Sequence, residues 1–202
     1  MIACLTPPGI IYLPDNDTHF APYICKGHYQ RKIMRKAFRW CEDFRLAVDV
    51  GAHIGLWSRD LSVAFRHVMA FEPVDENFSC LAKNVPANVS LHKVALSNSY
   101  GYGTLRKESE GNSGAWTLIE GTDHYVCLLD EYELSYLDFL KIDVQGHEKK
   151  VLMGAEETLK RCNPVVVVET TLNDEKSDMD FLKGLGAVLR VSYGKDAVYS
   201  WD

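Results

Sequence analysis

The chain has 202 residues, of which 47% are hydrophobic and 25% are charged, and its formal net charge at pH 7 is −6. A domain of this size buries roughly 70% of the surface that its unfolded chain exposes, which is enough for a core without disulfides or metal. The negative charge argues against an extensive nucleic-acid-binding surface, and no run reaches the about 20 apolar residues of a membrane helix. We expect one domain over residues 1–202.

The cysteines and the N-terminus predict a reducing compartment. The six cysteines form no C-x-x-C pair, which argues against a zinc site and a disulfide framework; they are Cys4, Cys25, Cys41, Cys80, Cys127 and Cys162. Residues 1–13 lack the basic segment of a signal peptide. We expect a cytoplasmic protein with reduced thiols and no bound metal.

The N-terminal extension, residues 1–45, contains a short acidic motif before any predicted element. Asp15, Asp17 and His19 stand within five positions of one another. Such a group either binds a metal or caps a cleft, or its aspartates form local Asx-type turns with the backbone. Both interpretations stay open on the sequence.

The first predicted element is an amphipathic helix over residues 31–39. Apolar side chains occupy one arc of this helix, and the opposite arc is basic, with Arg31, Lys32, Arg35, Lys36 and Arg39. The basic arc is either the solvated outer face of a docked helix or a surface that recognises a phosphate-bearing or acidic substrate.

From residue 46 onward, strand and helix patterns alternate, which predicts an α/β fold with parallel strands joined by right-handed crossovers. The predicted strands are 46–50, 68–72, 90–96, 137–142, 165–169, 187–192 and 196–201. The predicted helices are 56–65, 75–84, 147–160 and 176–185. Turn signals interrupt the pattern over 97–129, which predicts a glycine-rich, β-rich insert or lid with its most mobile loop at 109–114.

The most informative segment, residues 46–55, has the pattern of a buried strand that breaks at glycines into a helix. Such a loop lets main-chain N–H groups and the positive end of a helix approach a nucleotide. Gly51 and Gly55 are separated by bulky residues such as His53, so the middle glycine of a dinucleotide loop is missing. Asp49 precedes the loop, and its carboxylate would attract a cation and repel a phosphate.

The next strand also ends in an acid. Glu72 closes the strand that begins at Val68, and a carboxylate there can accept both hydroxyls of a ribose. Pro73 then ends the strand. Together with Asp49, this pattern favours S-adenosylmethionine, a positively charged nucleoside, over a dinucleotide.

A second strand-to-turn segment spans residues 140–148. Ligands of open α/β sheets bind beyond the carboxyl ends of the strands, where Asp143 should lie. Glu169 closes the strand Val165–Val168 and should lie at the same edge. The sequence therefore places four acids on one rim: Asp49, Glu72, Asp143 and Glu169.

Several blocks together resemble the FkbM-like methyltransferase family: Val48–Gly55, Ala70–Pro73, Val94–Ser97, Leu140–Glu148, Val151–Ala155 and Val167–Glu169. The resemblance covers residues 46–170. It implies the fold of class I S-adenosylmethionine-dependent methyltransferases, a doubly wound and mostly parallel seven-stranded sheet. Characterised members mostly methylate hydroxyl oxygens of sugars, polyketides and related metabolites.

The resemblance also implies the cofactor-binding residues, with Ser97 near the adenine. The predicted set is Asp49, Gly51, Ala52, His53, Gly55, Glu72, Pro73, Ser97 and Asp143. Two positions depart from the family pattern, because His53 replaces its usual asparagine and Gln145 replaces a frequent glutamate. These departures concern the specificity for the methyl acceptor.

Methyl transfer to a hydroxyl needs a base, and the sequence offers candidates near the second turn. Asp143 is the first, by its place at the end of a strand, and His147 is the second, unless it is a first-turn histidine exposed to water. Glu169 would bind a cation or support the site through a hydrogen bond. Lys141 would be a strand residue whose stem packs under a helix.

The leading hypothesis is O-methylation of a hydroxyl on a sugar, glycan or small metabolite. An alternative is ribose 2′-O-methylation of RNA, because Lys141, Asp143 and Glu169 resemble part of a Lys-Asp-Lys-Glu set whose second lysine has no candidate. A third is a catalytically silent nucleoside-binding module, against which the retained Asp143 weighs. A nicotinamide oxidoreductase is disfavoured by the missing middle glycine.

Overall fold

The computed structural model describes residues 1–6, 9–15, 17–24, 29–169 and 175–202. Cys25, one of the scattered cysteines, lies outside these residues, and Cys41, Cys80, Cys127 and Cys162 are free thiols. Within the described ranges, no helix combines the length and the apolar composition that crossing a bilayer requires.

The order of elements confirms the alternation predicted from residue 46 onward. The strands are β1 (Ile2–Thr6), β2 (Gly9–Leu13), β3 (Leu46–Val50), β4 (His67–Phe71), β5 (Val89–His92), β6 (Ala95–Leu96), β7 (Gly101–Lys107), β8 (Trp116–Glu120), β9 (His124–Cys127), β10 (Phe139–Ile142), β11 (Val165–Glu169), β12 (Val188–Tyr193) and β13 (Asp196–Ser200). The helices are α1 (Ala21–Ile24), α2 (Arg31–Ala37), α3 (Leu56–Ala64), α4 (Asp75–Asn84), α5 (Glu148–Met153), α6 (Glu156–Cys162) and α7 (Glu175–Gly184). Short 3-10 helices cover Phe38–Trp40 and Leu129–Tyr132.

The central sheet has seven strands in the order β12-β13-β11-β10-β3-β4-β5. The strands from β11 to β5 pair in parallel, whereas β13 runs antiparallel to both β11 and β12. The sheet is therefore mixed, and the expectation of a mostly parallel sheet holds for its central strands. Because the parallel strands end at one edge, the segments that follow β3, β4, β10 and β11 meet there.

Alternate residues of the central strands face two separate cores, as the period of a strand requires. Ala47 and Phe139 belong to one core, which includes side chains of α2 and α3, whereas Val48 and Leu140 belong to the other, which includes side chains of α5 and α6. Helices thus cover both faces of the sheet, and the arrangement is doubly wound. Strands buried on both faces explain the uninterrupted apolar runs in the sequence.

Two predicted elements are divided in the structure. The predicted strand 90–96 is wrong beyond His92, because β6 leaves the central sheet and pairs with β9 instead. The predicted helix 147–160 breaks after Met153. A Cβ on Gly154 would lie 1.9 Å from the carbonyl oxygen of Ser97, so the backbone of the break packs directly against the chain that follows β6.

The strands of the insert form a sheet with β6, in the order β6-β9-β7-β8, which confirms the insert's β-rich character. The hairpin of β1 and β2 was not predicted. Asn84 fastens this hairpin to the central fold, because its side chain exchanges hydrogen bonds with the backbone of Tyr12 (2.7 and 2.9 Å) and also donates to Ile54 (2.8 Å).

The basic helix docks through its apolar side. Ile33, Met34 and Ala37 of α2 are buried, and Arg31 forms hydrogen bonds of 2.7 and 2.9 Å with Asp60 of α3. This arrangement confirms the docked amphipathic helix. Its exposed cations, among them Lys32, remain on the outer side.

Candidate active site

A cavity of about 350 Å³ opens at the carboxyl edge of the central sheet. Eight of the predicted site residues line it: Gly51, Ala52, His53, Glu72, Pro73, Asp143, His147 and Glu169. The insert contributes Leu105, Trp116 and Leu118 to the wall, in keeping with its predicted place over a cleft. The other predicted residues, Asp49, Gly55 and Ser97, lie behind the wall.

The loop after β3 makes its turns through glycines that no other residue replaces easily. Gly51 has a φ of +74°, and a Cβ there would lie 1.9 Å from the carbonyl oxygen of Asp143. Gly55 has a φ of +88°, and a Cβ there would lie 2.7 Å from the Leu81 side chain. The first glycine lets the loop touch β10, and the second lets α3 pack on α4.

The loop does not offer its amides to a ligand in the way that the sequence pattern suggests. The N–H groups of Gly51 and Ala52 both donate to Phe71 O (3.0 and 2.9 Å), and that of Gly55 donates to Ala52 O (2.8 Å). The N–H of His53 donates to a carboxylate oxygen of Glu72 (2.8 Å). A phosphate therefore finds these four donors already occupied, which argues against a dinucleotide.

Asp49 lies beneath the loop as a structural anion. It is fully buried, accepts a hydrogen bond from Ser58 Oγ (2.5 Å), and its other oxygen lies 3.2 Å from Lys141 Nζ. Lys141 also donates to Gly51 O (2.9 Å), so it ties the anion to the glycine turn. Burial opposes the charged ammonium, but Asp49 and Asp143 outweigh it and raise the pKa of Lys141 above its ordinary value.

This ion pair changes the role that the sequence suggests for Asp49. A carboxylate that is already paired with Lys141 attracts a ligand's charge only weakly, because the two opposite charges largely cancel at a distance. Lys141, expected to pack its stem under a helix, is instead buried with its ammonium group between two carboxylates.

Glu72 is held in position by the backbone. Its two carboxylate oxygens accept the N–H groups of His53 (2.8 Å) and Val74 (2.9 Å), and the Asn77 side chain also stabilises the carboxylate. Burial raises the pKa of Glu72 to about 7, although these hydrogen bonds favour the carboxylate.

Asn77 stands close to Glu72 and was not singled out from the sequence. Its side-chain nitrogen donates to Ser113 O (2.8 Å), while its Oδ1 is buried and has no hydrogen-bond partner among the described residues. An acceptor without a partner is costly inside a protein, and a ligand hydroxyl or amine would satisfy it. Asn77 lines the cavity, so the structure adds it to the candidate binding residues.

His147 is buried rather than exposed, so the expectation of a water-exposed histidine is wrong. Its Nε2 lies 2.8 Å from Ser97 Oγ, and it immediately precedes α5 rather than lying inside a helix. Burial lowers the pKa of His147 to about 4, which keeps its imidazole neutral near pH 7.

The neighbouring Glu148 accepts the N–H groups of Val144 (3.0 Å) and Gly146 (2.9 Å) and thereby stabilises the turn between β10 and α5.

Asp143 and Glu169 meet through Gln145, as their positions at neighbouring strand ends predict. The Gln145 amide donates to Asp143 Oδ1 and to Glu169 Oε2, both at 3.0 Å. Burial and the nearby Asp143 raise the pKa of Glu169 to about 8. Burial also acts to raise the pKa of Asp143, but Lys141 and the hydrogen bonds from Glu169 and Gln145 outweigh it and lower that pKa.

The raised pKa of Glu169 and the lowered pKa of Asp143 favour a pair that carries one proton near pH 7, with the negative charge on Asp143. Such a pair presents an ionised oxygen on Asp143 beside a neutral carboxyl, which is a suitable arrangement for orienting a hydroxyl group. Burial and Asp143 also raise the pKa of Asp196 to about 6, so a third acid contributes to the same electrostatic environment.

This cavity, with an acid after β4 and a paired acid after β10, agrees with a match between residues 49–189 and the family model described as the methyltransferase FkbM domain. The chain belongs to this family. S-adenosylmethionine is accordingly the expected cofactor of this chain. Glu72 and the buried acceptor on Asn77 fit the hydroxyl-rich and amine-rich surface of that nucleoside, and the occupied loop amides fit its lack of phosphate.

The chain is also similar to a hexuronic acid methyltransferase, AglP, of Haloferax volcanii, with 29% identity over 152 residues. The matched region covers 68% of this chain and 61% of AglP, so the chain spans about three fifths of that relative.

Solved structures support the fold. A methyltransferase FkbM from Methylobacillus flagellatus KT superposes with a TM-score of 0.55 at 17% identity, covering 78% of this chain and 43% of that one. An rRNA methylase from Streptococcus thermophilus superposes with a TM-score of 0.55 at 12% identity, covering 85% of this chain and 95% of that one.

The structure also shows the surroundings of two polar residues of the N-terminal extension. Asp17 accepts a hydrogen bond from Phe20 N (2.7 Å), which is the local bond that the turn interpretation expects. His19 lines the cavity, which supports the cleft-capping interpretation for that residue. In the described ranges, no cluster of three or more His, Cys, Asp or Glu side chains is arranged to hold a metal ion, so the metal interpretation gains no support.

Replacing Glu72 by Gln should weaken the binding of S-adenosylhomocysteine about tenfold or more, because hydrogen bonds to a charged group contribute about 1.5–3 kcal/mol. The wild-type affinity should also fall as the pH drops through about 7, where the Glu72 carboxylate gains a proton. Isothermal titration calorimetry on both sides of that pH measures both effects. An E72Q variant that retains the wild-type pH dependence would exclude Glu72 as its source.

Proposed function

We propose that the chain is an S-adenosylmethionine-dependent methyltransferase that methylates a hydroxyl oxygen of a sugar, a glycan or a small metabolite. The observation that carries this proposal is one cavity with two chemically different ends. Glu72 follows β4, whereas Glu169 ends β11, three strand spacings or about 14 Å away. That span accommodates a nucleoside at one end and an acceptor at the other.

On the cofactor side, we assign Glu72 and Asn77 to the hydrogen-bonding groups of the nucleoside. The glycine loop supplies the close wall, and Asp49 supports it from below through Lys141. We assign the neutral pair of His147 and Ser97 to the same side, because their hydrogen bond lies at the end of β6 rather than beside Glu169.

On the acceptor side, Asp143 accepts a hydrogen bond from the substrate hydroxyl and aligns its oxygen for in-line attack at about 3 Å. The bound cofactor supplies an electrophilic methyl carbon on a positively charged sulfur. With the methyl donor bound, the pair of Asp143 and Glu169 would take the proton that the substrate hydroxyl loses on methylation. Aromatic and aliphatic side chains of the insert keep water from the reacting groups.

The choice of a sugar as the acceptor is supported by the similarity to the hexuronic acid methyltransferase and by no other relative named above. We further propose that residues 1–202 act as one domain, because the N-terminal hairpin is fastened to α4 and the insert lines the cavity.

Thermal-shift titration tests the cofactor. S-adenosylhomocysteine should raise the melting temperature and NAD should not, because a ligand that binds only the folded state stabilises it by mass action. Stabilisation by NAD alone would overturn the proposal. A screen of hexuronic acids, neutral glycans and RNA with a methyl-labelled donor then identifies the acceptor class.

One observation favours RNA ribose as a second candidate acceptor. Lys195, which the sequence did not single out, lines the cavity 4.0 Å from Glu169, so a second lysine joins Lys141, Asp143 and Glu169. Under this alternative, RNA binding should weaken with salt and weaken further when Lys32 and Arg35 are neutralised. Binding that is insensitive to both changes favours the small acceptor.

A further inference from the structure

Three side chains from distant parts of the chain form a continuous line of hydrogen bonds behind the cavity wall. His53 Nε2 lies 2.6 Å from Ser113 Oγ, and Ser113 Oγ donates a short hydrogen bond to Asp17. Asp17 and Ser113 are buried, whereas His53 lines the cavity.

The direction of each hydrogen bond follows from Asp17. One of its oxygens accepts the N–H of Phe20 (2.7 Å), and the other accepts the N–H of Ser113 (3.1 Å), so the carboxylate acts as an acceptor on both sides. The Ser113 hydroxyl must therefore donate to Asp17, and its lone pair must accept the proton of His53 Nε2. The other ring nitrogen, Nδ1, is left without a proton.

We propose that Asp17 and Ser113 are positioning residues that hold His53 in the Nε2–H tautomer, so that Nδ1 offers a lone pair to a hydrogen-bond donor of the bound nucleoside. This inference depends on the proposed function only for the identity of the ligand. Asp17 lies outside the region that matches the family model, residues 49–189.

The surroundings of the imidazole keep it in one place. The ring of Phe20 packs on that of His53 with 4.6 Å between centroids. The N–H groups of Thr18 and His19 donate to Gly111 O (2.9 and 3.1 Å), which ties the N-terminal segment to the insert. Burial lowers the pKa of His53 to about 4, so the ring is neutral near pH 7 and its tautomer matters.

Nitrogen-15 NMR of the histidine side chains tests the inference in the ligand-free protein. In the wild type, His53 should show a protonated Nε2 and an unprotonated Nδ1. Ser113→Ala removes the acceptor of the Nε2 proton, so that variant should show both neutral tautomers of His53. A wild-type spectrum with the proton on Nδ1, or with a mixture of tautomers, would overturn the assignment.

Binding of S-adenosylhomocysteine provides the second readout. Asp17→Asn and Ser113→Ala should each weaken it about three- to tenfold, the usual worth of one hydrogen bond, and Ser113→Thr should restore both the affinity and the tautomer. The matched control is Asp123→Asn, because Asp123 accepts a hydrogen bond from Thr104 (2.7 Å) in the same insert but is exposed. The control should leave both readouts unchanged.

The two readouts separate this inference from the proposed function. If the wild type shows the expected tautomer but does not bind S-adenosylhomocysteine, the proposed cofactor fails while the tautomer assignment stands. If Asp17→Asn does not fold, Ser113→Ala alone decides, since full affinity together with an unchanged Nε2–H tautomer in that variant contradicts the positioning role.

Discussion

Replacing Lys141 by Met should lower the free energy of unfolding by about 3–5 kcal/mol, the cost of removing one partner from a buried ion pair. Lys141 and Asp49 are both buried, with 3.2 Å between the ammonium nitrogen and a carboxylate oxygen. Methionine fills a similar volume but leaves the carboxylate without its cation and Gly51 O without its donor. Urea denaturation measures the change.

A double-mutant cycle assigns this effect to charge. Adding Asp49→Asn to Lys141→Met removes the unpaired anion, so the double variant should be more stable than the sum of the single effects predicts. Lys32→Met, on the exposed face of α2, provides the control and should change stability by less than about 0.5 kcal/mol. Additive single effects would show that the ion pair does not stabilise the fold.

Replacing Asp143 by Asn should lower kcat by about 10²–10⁴-fold, the usual contribution of a general base. The new amide keeps only part of the hydrogen bonding between this position and Gln145. It cannot take the proton of the substrate hydroxyl. The affinity for S-adenosylhomocysteine should change little, because Glu72 and Asn77 lie at the other end of the cavity. Single-turnover rates and calorimetry separate the two quantities.

The pH profile provides an independent check on this pair. Because the pKa of Glu169 is raised to about 8, the pair should lose its proton near that pH, and kcat/KM should fall above it, since the proposed active form carries one proton. Glu169→Gln, which is neutral at every pH, should remove that fall while retaining the hydrogen-bonding shape of the side chain. Undiminished turnover in Asp143→Asn would exclude this residue from the mechanism.

Where a segment's local pattern was unambiguous, the sequence predicted its structure closely. The bounds of β3, α4 and β11 agree with the prediction, because each element combines a clear apolar pattern with glycine, proline or asparagine at its ends. The meeting of Asp143 with Glu169 was also predicted, since parallel strands end at a common edge. Periodicity and strand direction carry this information locally.

Other features depend on contacts that no local pattern records. Asp17 and Ser113 are 96 positions apart, and only the fold brings the N-terminal segment onto the insert. The pairing of Asp49 with Lys141 arises from the register of β3 against β10, where the two residues are direct neighbours. The occupied amides of the glycine loop likewise depend on β4, which supplies Phe71 O.

The sequence by itself therefore determined the family, the class of sheet and the edge at which the acids collect, because these follow from short motifs and the periodicity of strands and helices. Only the tertiary structure decided which acids face the cavity, which are paired with a cation and which hydroxyl His53 Nε2 contacts. Charge and protonation depend on burial and on partners within a few ångströms, and those partners come from residues far apart along the chain.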